Sequence, residues 1–151
     1  MMTIFFAFLH HVLAFTLVAT VTVELVLVKD RISIERARRI LRTDAIYGVS
    51  AILLLVVGFL RVMFFEKGTD YYFHSIPFIA KMLLFITVAI LSIYPTMTFL
   101  SWRKSLNRGR EPVLDPAVIR RIRKLIHLEL VCIVLIVLAA AMMARGVGYF
   151  G

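Results

Sequence analysis

Cysteine is almost absent from this chain of 151 residues: Cys132 is the only one, and it lies inside an apolar run. A single thiol forms neither an internal disulfide nor a CxxC pair. Disulfide-stabilised scaffolds and cysteine-based zinc or redox motifs are therefore excluded. We expect Cys132 to be a packing residue, since a free cysteine in apolar surroundings behaves as a small hydrophobic side chain.

The motifs of familiar soluble enzymes are also missing. The sequence has no internal repeat, no glycine-rich phosphate loop, no HExxH zinc motif and no GxSxG nucleophile elbow. The chemistries that depend on those motifs are excluded. Any function must come from side chains that the fold brings together.

Charge is scarce as well, because charged residues make up 18% of the chain against 62% for hydrophobic ones, with a mean hydropathy of +0.94. This composition is typical of a membrane protein. Four apolar stretches are each long enough to cross a hydrocarbon core roughly 30 Å thick as a helix. We predict an all-α integral membrane four-helix bundle, a single domain over residues 1–151. Its spans are expected at about 4–28, 44–65, 77–101 and 125–145.

Acidic residues are half as frequent as basic ones, 9 against 18, and the net charge is +9. The basic residues sit between the apolar stretches, so they indicate topology and not nucleic-acid binding. Six precede the second span and eight precede the fourth, whereas the loop between the second and third spans has only Lys67. We therefore predict a multi-pass protein of the bacterial inner membrane with both termini outside.

Both basic segments also carry helix-start signals. Ser33 is a suitable N-cap for a helix that continues into the second span, and Asp115 followed by Pro116 starts one that continues into the fourth. We expect helical extensions of spans 2 and 4 into the cytoplasm. In the third span Pro95 should kink the helix, with Thr96 near the freed backbone groups.

Acidic residues occur inside the spans only near their inner ends, at Glu24, Asp44 and Glu129. An ionised side chain at the centre of a membrane helix costs about 2.5–3.5 kcal/mol, so these groups must face protein, water or a ligand. One interpretation pairs them with Arg42, Arg120 or Arg121 to hold the helix ends. The other is a proton or cation path, or a carboxylate metal site, with Glu24 and Glu129 as ligands or relays.

Basic groups occupy the other ends of the spans. His10, Arg61 and Lys81 each lie within a turn or two of an outer end, so we predict that they share one depth and form a basic pocket in the outer leaflet. Either Glu66 and Asp70 of the outer loop fold back over these groups, or the pocket receives an anion from outside the chain.

A porphyrin such as haem b fits the second alternative. Its propionates would pair with Arg61 and Lys81, and its iron would take His10 as an axial ligand. His11 points about 100° away from His10 on the same helix, so it cannot supply the opposite axial position. The ring would lie among Phe5, Phe6, Phe85, Gly48, Ala51 and Gly58.

The spans together resemble an uncharacterised bacterial inner-membrane family, a domain of unknown function. The resemblance is carried by LHHVLAFTLVATVTVELVL, DAIYGVSAILLLVVGFLRV, FIAKMLLFITVAILSIYPTMTFLSWR and LELVCIVLIVLAAAMMARGVG. More distantly, a His early in the first span and a Lys early in a later one are similar to HemJ-type protoporphyrinogen oxidases and CopD-type copper-resistance domains. That likeness implies a haem b ligand at His10 and a functional lysine at Lys81.

Two classes of function follow from these patterns. One is a haem-binding or other anion-binding membrane protein with a redox or porphyrin-related role. The other is a non-enzymatic transport or interaction subunit that uses the inner carboxylates as a proton or cation path or to hold its helices together. The expected partners are the lipid bilayer, together with a second copy of the chain or a membrane redox partner, and not nucleic acid.

The distribution of basic residues makes the topology testable. A reporter enzyme fused after Gly151 should be active only if it works in the periplasm, and one inserted near Gly109 only if it works in the cytoplasm. If the two reporters were active in the opposite compartments, the acidic residues would lie near the outer ends of the spans and the basic residues near the inner ends.

Overall fold

Four long helices form the chain in the computed structural model, which describes residues 1–65 and 74–148. They are α1 (Met2–Leu27), α2 (Ile34–Leu60), α3 (Ile76–Asn107) and α4 (Pro116–Ala144), and a π-helical turn, Arg61–Phe65, continues α2. All four are long and apolar enough to cross a membrane. The predicted all-α membrane bundle is therefore confirmed.

Helices α2 and α4 begin where their capping residues predict. The Ser33 hydroxyl accepts a hydrogen bond from the backbone N–H of Arg36 at 3.3 Å, and the Asp115 carboxylate accepts one from Ala117 at 2.8 Å. These bonds satisfy backbone donors that the first turn of a helix leaves without partners. Both helices thus start well before their apolar stretches, as the expected extensions require.

The chain reversals bring the loops 28–33 and 108–115 to one end of the bundle, which we call the basic-loop end. Residues from both loops line a common surface depression, among them Arg31 and Glu111. Helix α1 packs mainly against α2, and α3 mainly against α4, while smaller α2–α3 and α1–α4 contacts join the two pairs.

The best-packed part of the core lies near this end. Phe99 and Trp102 of α3 are buried with their ring centroids 5.2 Å apart, and Ile40 of α2 and Ile126 of α4 are fully buried as well. The outward faces of the helices carry exposed apolar side chains along their length, including Leu83, Ile93 and Val134. Such a surface implies contact with the lipid bilayer.

At the opposite end, the segment after α4 is tied to the start of α3. The backbone N–H of Ile76 donates to the carbonyl of Gly148 at 3.1 Å. Gly148 has a φ of +80°, and a Cβ there would lie 2.9 Å from Cδ of Pro77, so glycine alone fits both the conformation and the contact.

Candidate functional site

Three carboxyl groups from three helices meet inside the bundle. Glu24 of α1, Asp44 of α2 and Glu129 of α4 are only 3%, 6% and 2% exposed. Glu24 interacts electrostatically with both of the others, and Glu129 with Asp44. We call these three residues the carboxyl cluster.

The inward direction of Glu24 follows from the periodicity of α1. Leu17 and Val21 are buried on the same helix at spacings of seven and three residues from Glu24, and they form one stripe with it. Glu24 therefore faces the interior of the bundle.

The interpretation that pairs the carboxyl cluster with arginine side chains is wrong. No ion pair joins the carboxyl cluster to Arg42, Arg120 or Arg121 within residues 1–65 and 74–148, and all three arginines are exposed. Arg121 instead places its guanidinium 4.4 Å from the ring centroid of Tyr94. These arginines do not pair with the carboxyl cluster because they lie on the outer faces of the helical extensions, where their charged groups remain hydrated.

Hydroxyl groups surround the carboxyl cluster in place of arginines. Thr96 donates a hydrogen bond to Oδ1 of Asp44 at 2.7 Å. This corrects the expectation that Thr96 serves the backbone beside Pro95, since its single hydroxyl proton goes to the carboxylate. Tyr47 lies within side-chain hydrogen-bonding range of Glu129 and of Ser92.

Two carboxylate oxygens of the carboxyl cluster have no hydrogen-bond donor among the described residues. Oε1 of Glu24 and Oε1 of Glu129 are buried and accept no hydrogen bond from the described part of the chain. A buried polar atom without a partner is expensive, so its presence points to an exchangeable proton, a water molecule or a ligand.

A cavity of about 240 Å³ begins beside Asp44 and runs between α2 and α3. We call it the α2–α3 cavity. Its lining is Leu17, Asp44, Tyr47, Gly48, Ala51, Ile52, Phe85, Val88, Ala89, Ser92 and Thr96. A Cβ added to Gly48 would meet nothing within 4 Å, so this glycine leaves open space beside the cavity.

His10, Arg61 and Lys81 lie together nearer the opposite end. The imidazole of His10 interacts electrostatically with both Lys81 and Arg61, which come from α3 and from the π-helical turn after α2. Gly58 of α2 faces the ring, since a Cβ there would lie in van der Waals contact, 3.4 Å from Cε1 of His10. Nδ1 of His10 is buried and has no hydrogen-bond partner among the described residues. We call these three residues the basic cluster.

Two other histidines, His11 and His127, are hydrogen-bonded to their own helices, although the ring centroid of His11 lies 6.3 Å from that of His10. His11 is exposed, and its Nδ1 donates to the carbonyl of Ala7 at 2.6 Å. His127 is exposed on α4 and makes the same kind of bond to Arg123 at 2.7 Å. Glu66 and Asp70, which were expected as alternative partners of the cations, lie outside the described residues.

A family model described as a predicted membrane protein of unknown function, DUF2214, matches residues 2–148. The chain belongs to the DUF2214 family. No curated protein and no solved structure matches it. The distant likeness to HemJ-type and CopD-type proteins therefore remains an expectation.

Tyr47 and Thr96 lie beside the carboxyl cluster, and the sequence analysis did not predict them there. Asp44, Tyr47 and Ala51 follow a spacing of three and four residues, which puts the tyrosine on the inward face that Asp44 defines. That signal was present in the sequence. Nothing in the spacing of α3 indicated that Thr96 would meet Asp44, because the rotation of one helix against another is set by packing.

The burial of Glu24 can be tested by stability. Glu24→Ala should lower the free energy of unfolding by about 2 kcal/mol, because it leaves a cavity beside Leu17 and Val21. Glu24→Gln keeps the volume and removes one acidic group from a set of three, so it should unfold close to the wild type. Thermal unfolding in detergent would measure both, with the exposed Glu35→Ala as the control. A glutamine variant as unstable as the alanine variant would show that the ionised carboxylate itself is required.

Proposed function

We propose that this protein transfers protons within the membrane, with the carboxyl cluster as the station that holds them. The observation that carries the proposal is the meeting of Glu24, Asp44 and Glu129 without a basic partner among the described residues. Carboxyl groups placed together in this way cannot all be ionised at low cost, since each disfavours the charge of the others. They must share protons or bind a cation.

Protons suit the geometry better than a metal cation. Among the described residues no group of three His, Cys, Asp or Glu side chains is arranged to hold a metal ion. The neighbours of the carboxyl cluster include the hydroxyl groups of Tyr47, Ser92 and Thr96, of which Thr96 donates to Asp44 and Ser92 to the carbonyl of Ala89. A hydroxyl group has one proton to donate and two lone pairs that can accept. Acidic side chains inside membrane spans, such as those of the carboxyl cluster, are typical of proton relays in membrane proteins.

The position of the carboxyl cluster indicates the side of the membrane with which it exchanges protons. Glu24 lies three residues before the end of α1, or about 4.5 Å along the helix from the basic-loop end. The positive-inside rule puts that end in the cytoplasm of a bacterial inner-membrane protein. We therefore propose exchange with the cytoplasm, followed by transfer through Asp44 and the hydroxyl groups to the α2–α3 cavity.

Infrared difference spectroscopy tests this function without a known partner. Wild-type protein in liposomes should show the C=O stretching band of a buried carboxylic acid that shifts on exchange into D₂O. Glu24→Gln and Glu129→Gln should each remove part of that band, whereas Glu35→Gln on the exposed face of α2 should not change it. A band absent throughout the pH range would contradict proton storage. A band lost on adding Na⁺, K⁺ or Mg²⁺ would favour cation binding.

We propose a second function for the basic cluster, the binding of an anionic ligand such as haem b. The electrostatic contact of His10 with both Arg61 and Lys81 supports it, because an imidazole flanked by two cations matches the iron and propionates of a haem. Arg61 and Lys81 would hold the propionates, and His10 would hold the iron. A haem bound there would supply one-electron transfer. The free Nδ1 of His10 leaves the imidazole available to a ligand.

An absorption spectrum of the purified protein tests the haem proposal. Protein expressed with ample haem should show a Soret band, His10→Ala should remove it, and Lys81→Ala should weaken retention of the chromophore with little change in its spectrum. His11→Ala is the matched control, since that ring is exposed and bonded to its own helix. Absence of any Soret band in the wild type would rule out haem b and leave a colourless anion as the ligand to seek.

A further inference from the structure

The hydroxyl groups at the polar end of the α2–α3 cavity already donate their protons to other groups. Thr96 donates to Oδ1 of Asp44 at 2.7 Å, and Ser92 donates to a backbone carbonyl of its own helix at 2.8 Å. The Tyr47 hydroxyl lies within side-chain hydrogen-bonding range of Glu129. Because a hydroxyl group has a single proton, these groups have only lone pairs left to offer a ligand.

The carboxyl cluster adds further acceptors at this end of the cavity. Asp44 lines the cavity itself. Glu24 and Glu129 interact electrostatically with Asp44, and each keeps a buried oxygen that accepts no hydrogen bond from the described part of the chain. No ion pair joins these carboxyl groups to a basic side chain within residues 1–65 and 74–148. An occupant that complements the polar end must therefore bring hydrogen-bond donors and a positive charge.

The rest of the cavity is apolar and extends to the lipid-facing surface. Phe85 and Val88 of α3 line it, and so do the exposed residues Ala89 of α3 and Ile52 of α2, the latter 65% exposed. Asp44 and Ile52 are about 12 Å apart along α2. A molecule that places its charged group at Asp44 thus has its apolar body between the helices and its far end at the lipid.

Size and chemistry together define the class of occupant. At about 240 Å³ the cavity is smaller than the roughly 300–1,000 Å³ of a pocket that encloses a whole drug-sized ligand, so it takes a small molecule. Tyr47 and Phe85 contribute aromatic rings to the lining, and such rings attract organic cations through their negative faces. A hydrated inorganic cation gains nothing from apolar walls, whereas a protonated amine with a short hydrocarbon body matches both ends of the cavity.

We propose that the α2–α3 cavity binds a lipid-soluble amine in its protonated form, with the ammonium group at Asp44 and the hydrocarbon body between α2 and α3. The amine takes the place of one stored proton. The O–H bond of one carboxylic acid breaks, the proton passes to water at the basic-loop end, and the carboxylate that remains pairs with the ammonium group. The total charge inside the bundle is therefore unchanged. This inference deepens the proposed function and rests on it, because the proton exchanged is one that the carboxyl cluster holds.

Photolabelling with an azidophenyl derivative of phenylbutylamine tests the proposal on the full chain in nanodiscs. Labelling should be saturable, should fall on peptides from α2 and α3, and should be prevented by unmodified phenylbutylamine. Phenylbutanol has the same hydrocarbon body without the charge, so it should compete about tenfold less well. This comparison of two competitors uses the wild type alone, so it decides the question even where a variant does not fold.

Three variants locate the site. Asp44→Asn keeps the volume and removes the carboxylate, and it should weaken binding of the amine about tenfold. Gly48→Val fills the cavity and should weaken binding to a similar extent, about tenfold. Ala45→Val is the matched control, an enlargement of similar kind at an exposed position of α2, and it should bind like the wild type.

Competition with protons gives a second readout. Among the described residues, the titratable groups that face Asp44 are Glu24 from α1, Tyr47 from α2 and Glu129 from α4, and α3 contributes hydroxyl groups. The affinity for phenylbutylamine should rise from about pH 6 to about pH 8, because fewer protons then compete with the ammonium group. The amine itself stays protonated over this range, as a lysine side chain does.

Other results would overturn the proposal. Equal competition by phenylbutanol would show that the cavity does not recognise the charge. Labelling unchanged in Asp44→Asn or Gly48→Val, each confirmed as folded by size-exclusion chromatography, would show that the amine binds elsewhere. Absence of saturable labelling together with an intact carboxylic-acid infrared band would reject this inference alone. Charge-selective labelling that does not change with pH, together with absence of that band, would reject the proton station and the exchange while keeping the amine site.

Discussion

The cost of a polar side chain within hydrocarbon is the constraint on which this structure depends. Glu24, Asp44 and Glu129 sit on helices whose other faces contact lipid, and each would cost several kcal/mol if it pointed outward. The lowest-cost arrangement buries all three inside the bundle, where they interact electrostatically with one another. The rotations of α1, α2 and α4 about their own axes are therefore fixed by these carboxyl groups at least as much as by apolar packing, which contributes little preference when lipid and side chain are equally apolar.

The tightness of side-chain packing differs along the bundle. Near the basic-loop end large side chains such as Phe99, Trp102 and Ile126 interdigitate and bury one another. Farther along, α2 and α3 face each other through Gly48, Ala51 and Ala89, which cannot fill the gap between helices whose spacing is set elsewhere. The α2–α3 cavity is thus a consequence of small residues placed beside a rigid, well-packed end.

The sequence alone was enough to predict the helices, because hydropathy and length determine which segments can span a membrane and Ser33 and Asp115 mark where two of them begin. Proximity was predictable for one group of polar residues, since alternating helix directions bring His10 within electrostatic range of Arg61 and Lys81. Partners were not. Asp44 pairs with Thr96, and Arg121 with Tyr94, because of how one helix is rotated against another, and that rotation depends on every side chain in the interface.

The separation of the two clusters favours a proton station over a channel. His10 and Glu24 lie about 21 Å apart along α1. The lining of the α2–α3 cavity extends about 12 Å along α2, from Asp44 to Ile52, and about 16.5 Å along α3, from Phe85 to Thr96. Between the two clusters the buried apolar side chains are Leu13, Leu17 and Val21 on α1 and Val57 on α2, and Thr20 and Ser50 add two buried hydroxyl groups. The Thr20 hydroxyl donates to backbone carbonyls of its own helix. The mostly apolar stretch between the clusters therefore favours exchange of the proposed station's protons at the basic-loop end over a continuous path from the carboxyl cluster to the basic cluster.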